Sequence, residues 1–118
     1  MKKGYFIILI SLVAALSCQK GKIAVASNTP DCIRRQIEQI VTDPNASIGA
    51  VDEYNFQNKI VYTFEPDNKV IADGSTRVAD ADCKTLCSVG GFGGPAVNLC
   101  NGENFYQKAV LVRNIWKK

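Results

Sequence analysis

The chain has 118 residues, with 14 lysines and arginines against 11 aspartates and glutamates, five cysteines and no histidine. Lacking histidine, it cannot build Ser–His or Cys–His catalytic machinery, and no dense basic patch supports nucleic-acid binding. A chain of this length forms one small domain, which buries a modest fraction of its surface and gains from covalent staples.

Residues 1–17 read as a signal peptide. Lys2 and Lys3 give a positive start, and Tyr5 to Leu16 form an apolar run. The run is shorter than the roughly 20 residues of a spanning helix and fits a secretory leader. Ala15-Leu16-Ser17-Cys18 follows and resembles the bacterial lipobox, which implies that Cys18 is acylated and becomes the mature N-terminus. Cysteine arithmetic agrees, because a leftover thiol in an exported chain needs an explanation. Setting Cys18 aside leaves Cys32, Cys83, Cys87 and Cys100, an even set. Stable anchoring takes more than one acyl chain, which a fully acylated cysteine supplies. Residues 18–29 then read as the lipidated N-terminus and a flexible tether. No acidic cluster follows Cys18, so the expected location is the cell envelope, membrane-anchored and facing the periplasm. Without Lys2 and Lys3, 12 basic residues face 11 acidic ones, so the mature chain is nearly neutral.

The folded domain is expected over residues 30–118. Thr29-Pro30-Asp31 opens a helix, with Thr29 as capping hydroxyl and Pro30 at the first helical position. Ile33, Ile37, Ile40 and Val41 form one apolar stripe, and Pro44 ends the helix by forcing Asp43 out of helical geometry. Val51 to Phe56 and Ile60 to Phe64 read as a hairpin about the turn Gln57-Asn58-Lys59, with Tyr54 and Phe56 alternating on one strand and Ile60, Tyr62 and Phe64 on the other. Lys69 to Ala72 and Thr76 to Ala79 read as a smaller hairpin, Lys84 to Ser88 as a short strand, and Ala109 to Ile115 as a final strand with Phe105 and Tyr106 packed beneath it. The expected class is α+β: one N-terminal helix packed on a small antiparallel sheet, stapled by disulfides, with Trp116, Tyr54, Tyr62 and Phe64 in or around the core.

Cys83 to Cys100 concentrates three cysteines and four of the nine glycines. An oxidising compartment favours disulfides, and four cysteines allow three pairings. Cys83 and Cys87 fall on one face of either a strand or a helix, which favours two parallel bridges, Cys32 with Cys83 and Cys87 with Cys100. A four-thiolate zinc site would want two close pairs, and a thioredoxin-like pair would have two intervening residues rather than three. Neither pattern is present. Gly90-Gly91-Phe92-Gly93-Gly94 lacks the lysine and Ser/Thr of a phosphate loop, since Pro95-Ala96-Val97 follows. It reads as a loop needing positive φ and as a candidate recognition loop with Phe92 at its tip. Asp73, Asp80 and Asp82 carry oxygen ligands but not in the EF-hand order, and a solvated acidic turn is the simpler reading. No cofactor and no metal are expected.

In order along the chain stand Pro30-Asp31-Cys32-Ile33, Tyr54 and Phe56 before Val61-Tyr62, Asp80-Ala81-Asp82-Cys83, Cys87, Gly90-Gly91, Cys100, Phe105 and Ile115-Trp116-Lys117. With the lipobox-like start, this order resembles a family of small uncharacterised lipoproteins of Bacteroidetes-type bacteria, a domain of unknown function. The resemblance implies location and fold and carries no activity with it. The first expectation is therefore a non-enzymatic, lipid-anchored envelope domain that binds a protein or peptide through its sheet and the Phe92 loop. The rival is an envelope hydrolase using carboxylates on a glycan or peptide, and the third reading is a purely structural lipoprotein. A carboxylate pair in a cleft would favour the enzyme; a flat exposed patch with Phe92, Tyr54 or Trp116 would favour binding.

Overall fold

The computed structural model describes residues 23–70, 74–91 and 97–118. Residues 1–17, expected to be a signal peptide, and Cys18, Phe92, Gly93, Gly94 and Asp73 lie outside the described residues. Helix α1 (Asp31–Thr42) precedes strands β1 (Ile48–Phe56), β2 (Lys59–Pro66), β3 (Thr76–Ala79) and β4 (Thr85–Val89). A small hairpin, β5 (Leu99–Cys100) and β6 (Glu103–Asn104), leads into a one-turn helix α2 (Phe105–Lys108) and the final strand β7 (Val110–Lys117). The main sheet has five strands in the order β4-β3-β2-β1-β7, and all its pairings are antiparallel. The expected α+β class is what the chain adopts. Among the described residues no helix is long and apolar enough to cross a membrane.

Helix α1 begins one residue later than its capping signal implies. Pro30 occupies the cap position without a side-chain bond, and the Thr29 hydroxyl donates to the Ala26 carbonyl (2.6 Å) instead of capping the helix. Ile33 and Ile37 are fully buried, whereas Val41 is exposed, so the buried stripe is narrower than its sequence pattern. Asp43 is extended before Pro44, as the steric demand of proline requires.

The β1–β2 turn corrects the expected register. Gln57 and Asn58 both have positive φ (53° and 61°), which makes a two-residue turn whose twist matches the flanking strands. Lys59 therefore belongs to β2 and pairs with Phe56. A slip of one residue exchanges the faces of a strand. Tyr62 and Phe64 consequently join Ile33 and Ile37 in the core beneath α1, while Tyr54 and Phe56 pack on the opposite face with Val61, Val78, Val89 and Phe105. The sheet thus has two apolar faces. A bulge in β7, where Val51 pairs with Trp116 but Asp52 with Asn114, turns both Ile115 and Trp116 into the α1 core.

The far face is covered by the 99–109 segment. Asn101 and Gly102 adopt positive φ (47° and 80°) and close the β5–β6 hairpin, which the Asn-Gly dipeptide signals and which was not among the sequence expectations. Phe105 lies buried beneath it, against Tyr54 (5.3 Å between ring centroids) and Phe56 (5.1 Å). Its neighbour Tyr106 is exposed, so only one of that aromatic pair packs under the sheet. Lys69 and Val70 form a turn rather than the start of a strand.

The disulfides pair as expected, Cys32–Cys83 and Cys87–Cys100, but they serve opposite faces. Cys83 precedes β4 at φ 66° and holds α1, while Cys87 lies opposite Val78 on the far face and holds the β5 layer. The positive φ at Cys83 and the β3–β4 register shift between Val78 and Ala79 undo the simple alternation that would put both cysteines on one side. The stretch read as a tether is docked from residue 23 onward. Ile23, Val25 and Ala26 pack on the α1 core, and the Ala26 amide donates to the Ile115 carbonyl (2.9 Å).

Loop-closure entropy ranks the two staples, since one closes 51 residues and the other 13. The paired Cys→Ala variants are expected to lose about 4 and about 3 kcal/mol respectively in urea titrations. Phe105→Ala, which empties the centre of the far-face core, is expected to lose about 3–5 kcal/mol in the same measurement.

Candidate functional site

The hairpin register that sorts the aromatics also sorts the carboxylates. Thr63 stands directly opposite Asp52, and Glu65 opposite Ala50, so Asp52, Thr63 and Glu65 share the far face as direct and diagonal cross-strand neighbours. The Asp52 and Glu65 carboxyls are close enough to share a hydrogen bond. Asn114, across from Asp52 on β7, donates its amide to Asp52 Oδ1 (2.7 Å) and fixes that side chain. Thr63 is 1% exposed, and its hydroxyl has no hydrogen-bond partner, although buried polar groups are nearly always paired.

Glu65 also lines an open cleft of about 360 Å³ with Asn68, Thr76, Gly90, Gly91 and Tyr106. Gly90 and Gly91, the first two residues of the candidate recognition loop, have φ of 82° and 83°, the left-handed conformation expected for them. A Cβ on Gly90 would come within 3.3 Å of the Tyr106 hydroxyl, so the loop and that phenol meet at the rim. Tyr54 and Tyr106 both pack edge-on against Phe105. The site therefore combines two carboxylates, two phenols, a buried hydroxyl and a backbone rim that lacks side chains.

Burial, and then the Asp52 charge, raise the proton affinity of Glu65 above the ordinary carboxylate range. Burial, with Glu65 and Asp52 adding to it, also raises that of the Tyr54 phenol. Chemically the pair can hold a proton between two carboxyls or receive a cation.

Other charged groups are committed elsewhere. Glu53, only 8% exposed, accepts from Arg113 and from the Tyr62 hydroxyl (3.3 Å each), and Arg113 continues to the Ser27 carbonyl (2.6 Å). This network clamps the docked N-terminal segment. Lys118 pairs with Asp67 (2.9 Å), and the bond from Lys118 lowers the Asp67 pKa. A hollow of about 470 Å³ beside α1 contains Arg77, whose guanidinium stacks 4.1 Å over Phe64 and bonds Gln36. Asp80 accepts from the Asp82 and Lys84 amides (2.9 Å each) and so shapes its own turn. Val110, Leu111 and Val112 are exposed on the outer strand, which β-bulges twist in the manner that protects sheet edges.

Trp116 is buried, so it does not contribute to an exposed patch. Asp52 and Glu65 were not singled out from sequence. Their proximity follows once the turn is taken as two residues, which Gln57-Asn58 permits and the longer turn conceals.

The pH dependence of stability follows from Glu65. Its folded-state proton affinity exceeds that of the unfolded chain, so the folded state binds more protons in the window above the ordinary carboxylate pKa. Stability is then lost as pH rises through that window. Glu65→Gln, which mimics the protonated form, is expected to gain thermal midpoint over wild type between pH 4 and pH 7. Asp67 acts oppositely, and its contribution is lost as pH falls below the ordinary range. With no histidine present, differential melting of the two proteins against pH isolates the carboxyl effect.

Residues 37–118, the second half of α1 and the whole of both sheets, match a family described as a domain of unknown function, DUF6970. No curated protein and no solved structure matches the chain. The chain belongs to the DUF6970 family.

Proposed function

We propose that this member of the family is a lipid-anchored, periplasm-facing protein of the bacterial cell envelope that binds a protein or peptide rather than catalysing a reaction. The observation that carries the binding half is the cleft where Gly90, Gly91, Tyr106 and Glu65 meet, since a rim of glycine backbone beside an exposed tyrosine offers both close approach and contact area. The Cys87–Cys100 bridge brackets the glycine-rich stretch, so the loop is held to the scaffold at both flanks.

The anchoring half is supported by the leader-like start and by the cysteines. The other four are paired, which leaves Cys18 over for acylation. Ile23 is packed on the domain, and the five residue steps back to Cys18 reach at most about 18 Å. An acylated chain would thus hold its domain close to the bilayer, on the side where β7 and the docked segment lie. The lipoprotein and Bacteroidetes-type resemblance belongs to the same proposal.

The hydrolase reading has one observation in its favour, the Asp52–Glu65 pair. Against its glycan form, the two carboxyls are close enough to share a hydrogen bond, whereas glycosidase carboxylates face each other across a gap of about 5–9.5 Å.

Cys18→Ala is expected to move the protein from the membrane to the soluble fraction, and the wild-type N-terminal peptide is expected to carry acyl chains by mass spectrometry. A photo-crosslinking amino acid at position 106, in cells, is expected to trap a discrete protein adduct that the same group at position 41 does not. Soluble wild type would remove the anchor, and identical adducts from both positions would remove the binding face. Turnover of a glycan or peptide that Asp52→Asn abolishes would establish the hydrolase instead.

A further inference from the structure

Two other buried or partly buried carboxylates have their own cation, Glu53 with Arg113 and Asp67 with Lys118, and the partly buried Asp80 is satisfied by two backbone amides. Asp52 and Glu65 are each partly buried, lie against each other, and form no ion pair among the described residues. Two adjacent carboxylates without a cation repel each other when ionised. The arrangement is stable with a proton between them or with a positive charge supplied from outside. An unpartnered hydroxyl lies beneath the pair: Thr63 is opposite Asp52 and two residues before Glu65 on the same face.

We propose that Asp52, Glu65 and Thr63 form a receptor for one primary ammonium group, the lysine side chain of the polypeptide that occupies the cleft. The inference rests on the binding reading given above and names the chemistry of what is bound. An ammonium has three N–H donors and no acceptor. The site offers three matching acceptors, a carboxylate from each strand and the hydroxyl oxygen between them. Entry of the ammonium gives the two carboxyls a counter-charge and gives Thr63 the partner it lacks. The charge-assisted bonds to two carboxylates are the strong ones. Tyr54 and Tyr106 both pack on Phe105, and Tyr106 lines the cleft with the Gly90–Gly91 rim, which lets a peptide backbone approach. Asn114 holds Asp52 and is a positioning residue. The elevated proton affinity of Glu65 agrees with a carboxylate that awaits a counter-charge.

The test follows the carboxyl carbon resonances of Asp52 and Glu65 by NMR at pH 7. The probes are n-butylammonium, a capped pentapeptide with a central lysine, the same peptide acetylated on that lysine, and calcium ion. The lysine peptide and butylammonium are expected to shift both resonances saturably, and the acetylated peptide is expected to bind at least tenfold more weakly. Asp52→Asn with Glu65→Gln is expected to lose the response by tenfold or more, and Thr63→Val to weaken it severalfold while leaving the fold intact by its amide spectrum. Tighter binding of the peptide than of butylammonium identifies a polypeptide lysine as the source; equal binding identifies a free amine, and both support the ammonium site. Equal affinity for lysine and acetyllysine peptides overturns the proposal and leaves peptide binding standing. Response to calcium alone, or to no probe, also overturns it, and the cleft's role in binding is then decided independently by the position-106 crosslink.

Discussion

The two-residue turn at Gln57-Asn58 is the constraint from which the rest of this domain follows. Two left-handed residues in succession pair Phe56 with Lys59, and every later pairing in the hairpin inherits that choice. Because β side chains alternate with a period of two, the turn decides which aromatics lie under α1 and which under the 99–109 segment. It places Tyr62 and Phe64 on one side and Tyr54 and Phe56 on the other, so that both faces of the central strands are apolar and both must be covered. It also places Asp52, Thr63 and Glu65 together. A one-residue slip would put Asp52 opposite Phe64 and dissolve the carboxylate pair.

A sheet with two apolar faces needs two covers, and a domain this small has little chain from which to make them. The disulfides meet that need one face at a time. Cys32–Cys83 joins the helix to the β3–β4 turn, and Cys87–Cys100 joins β4 to the short hairpin that shelters Phe105. Each reduces the entropy of the unfolded chain where the cover itself has few contacts of its own. Residues 23–29 extend the first cover, and the Glu53–Arg113 pair is the clamp that closes them down. A buried charge is tolerable only when paired and hydrogen-bonded, and Glu53 meets that condition through Arg113 and Tyr62.

Set beside Glu53, the Asp52–Glu65 pair is an exception within its own sheet. Its members lie on adjacent strands, their repulsion has no internal counter-charge among the described residues, and a buried hydroxyl beneath them is unpaired. Local inconsistencies of this kind concentrate at functional sites, because stability alone would remove them. The glycines at positions 90 and 91 border the same cleft. Two features that look unrelated along the chain thus meet at one place, because Cys87–Cys100 and the β3–β4 pairing bring the end of β4 over the end of β2.

The sequence by itself determined what depends on near neighbours: one helix with its apolar stripe and proline stop, two strands flanking a short turn, a late aromatic strand, and an even set of cysteines once Cys18 is set aside. Helical and strand periodicities are local, and four thiols with one adjacent couple leave few sensible pairings. Only the tertiary structure decided the faces. The register depends on whether Lys59 belongs to the turn or to β2, a choice that burial on both faces makes and residue types alone do not. The opposite duties of Cys83 and Cys87, the docking of residues 23–29 and the meeting of Asp52 with Glu65 all depend on bulges and cross-strand pairings. Those are set by non-local packing, where a shift of one residue carries a side chain from one side of the sheet to the other.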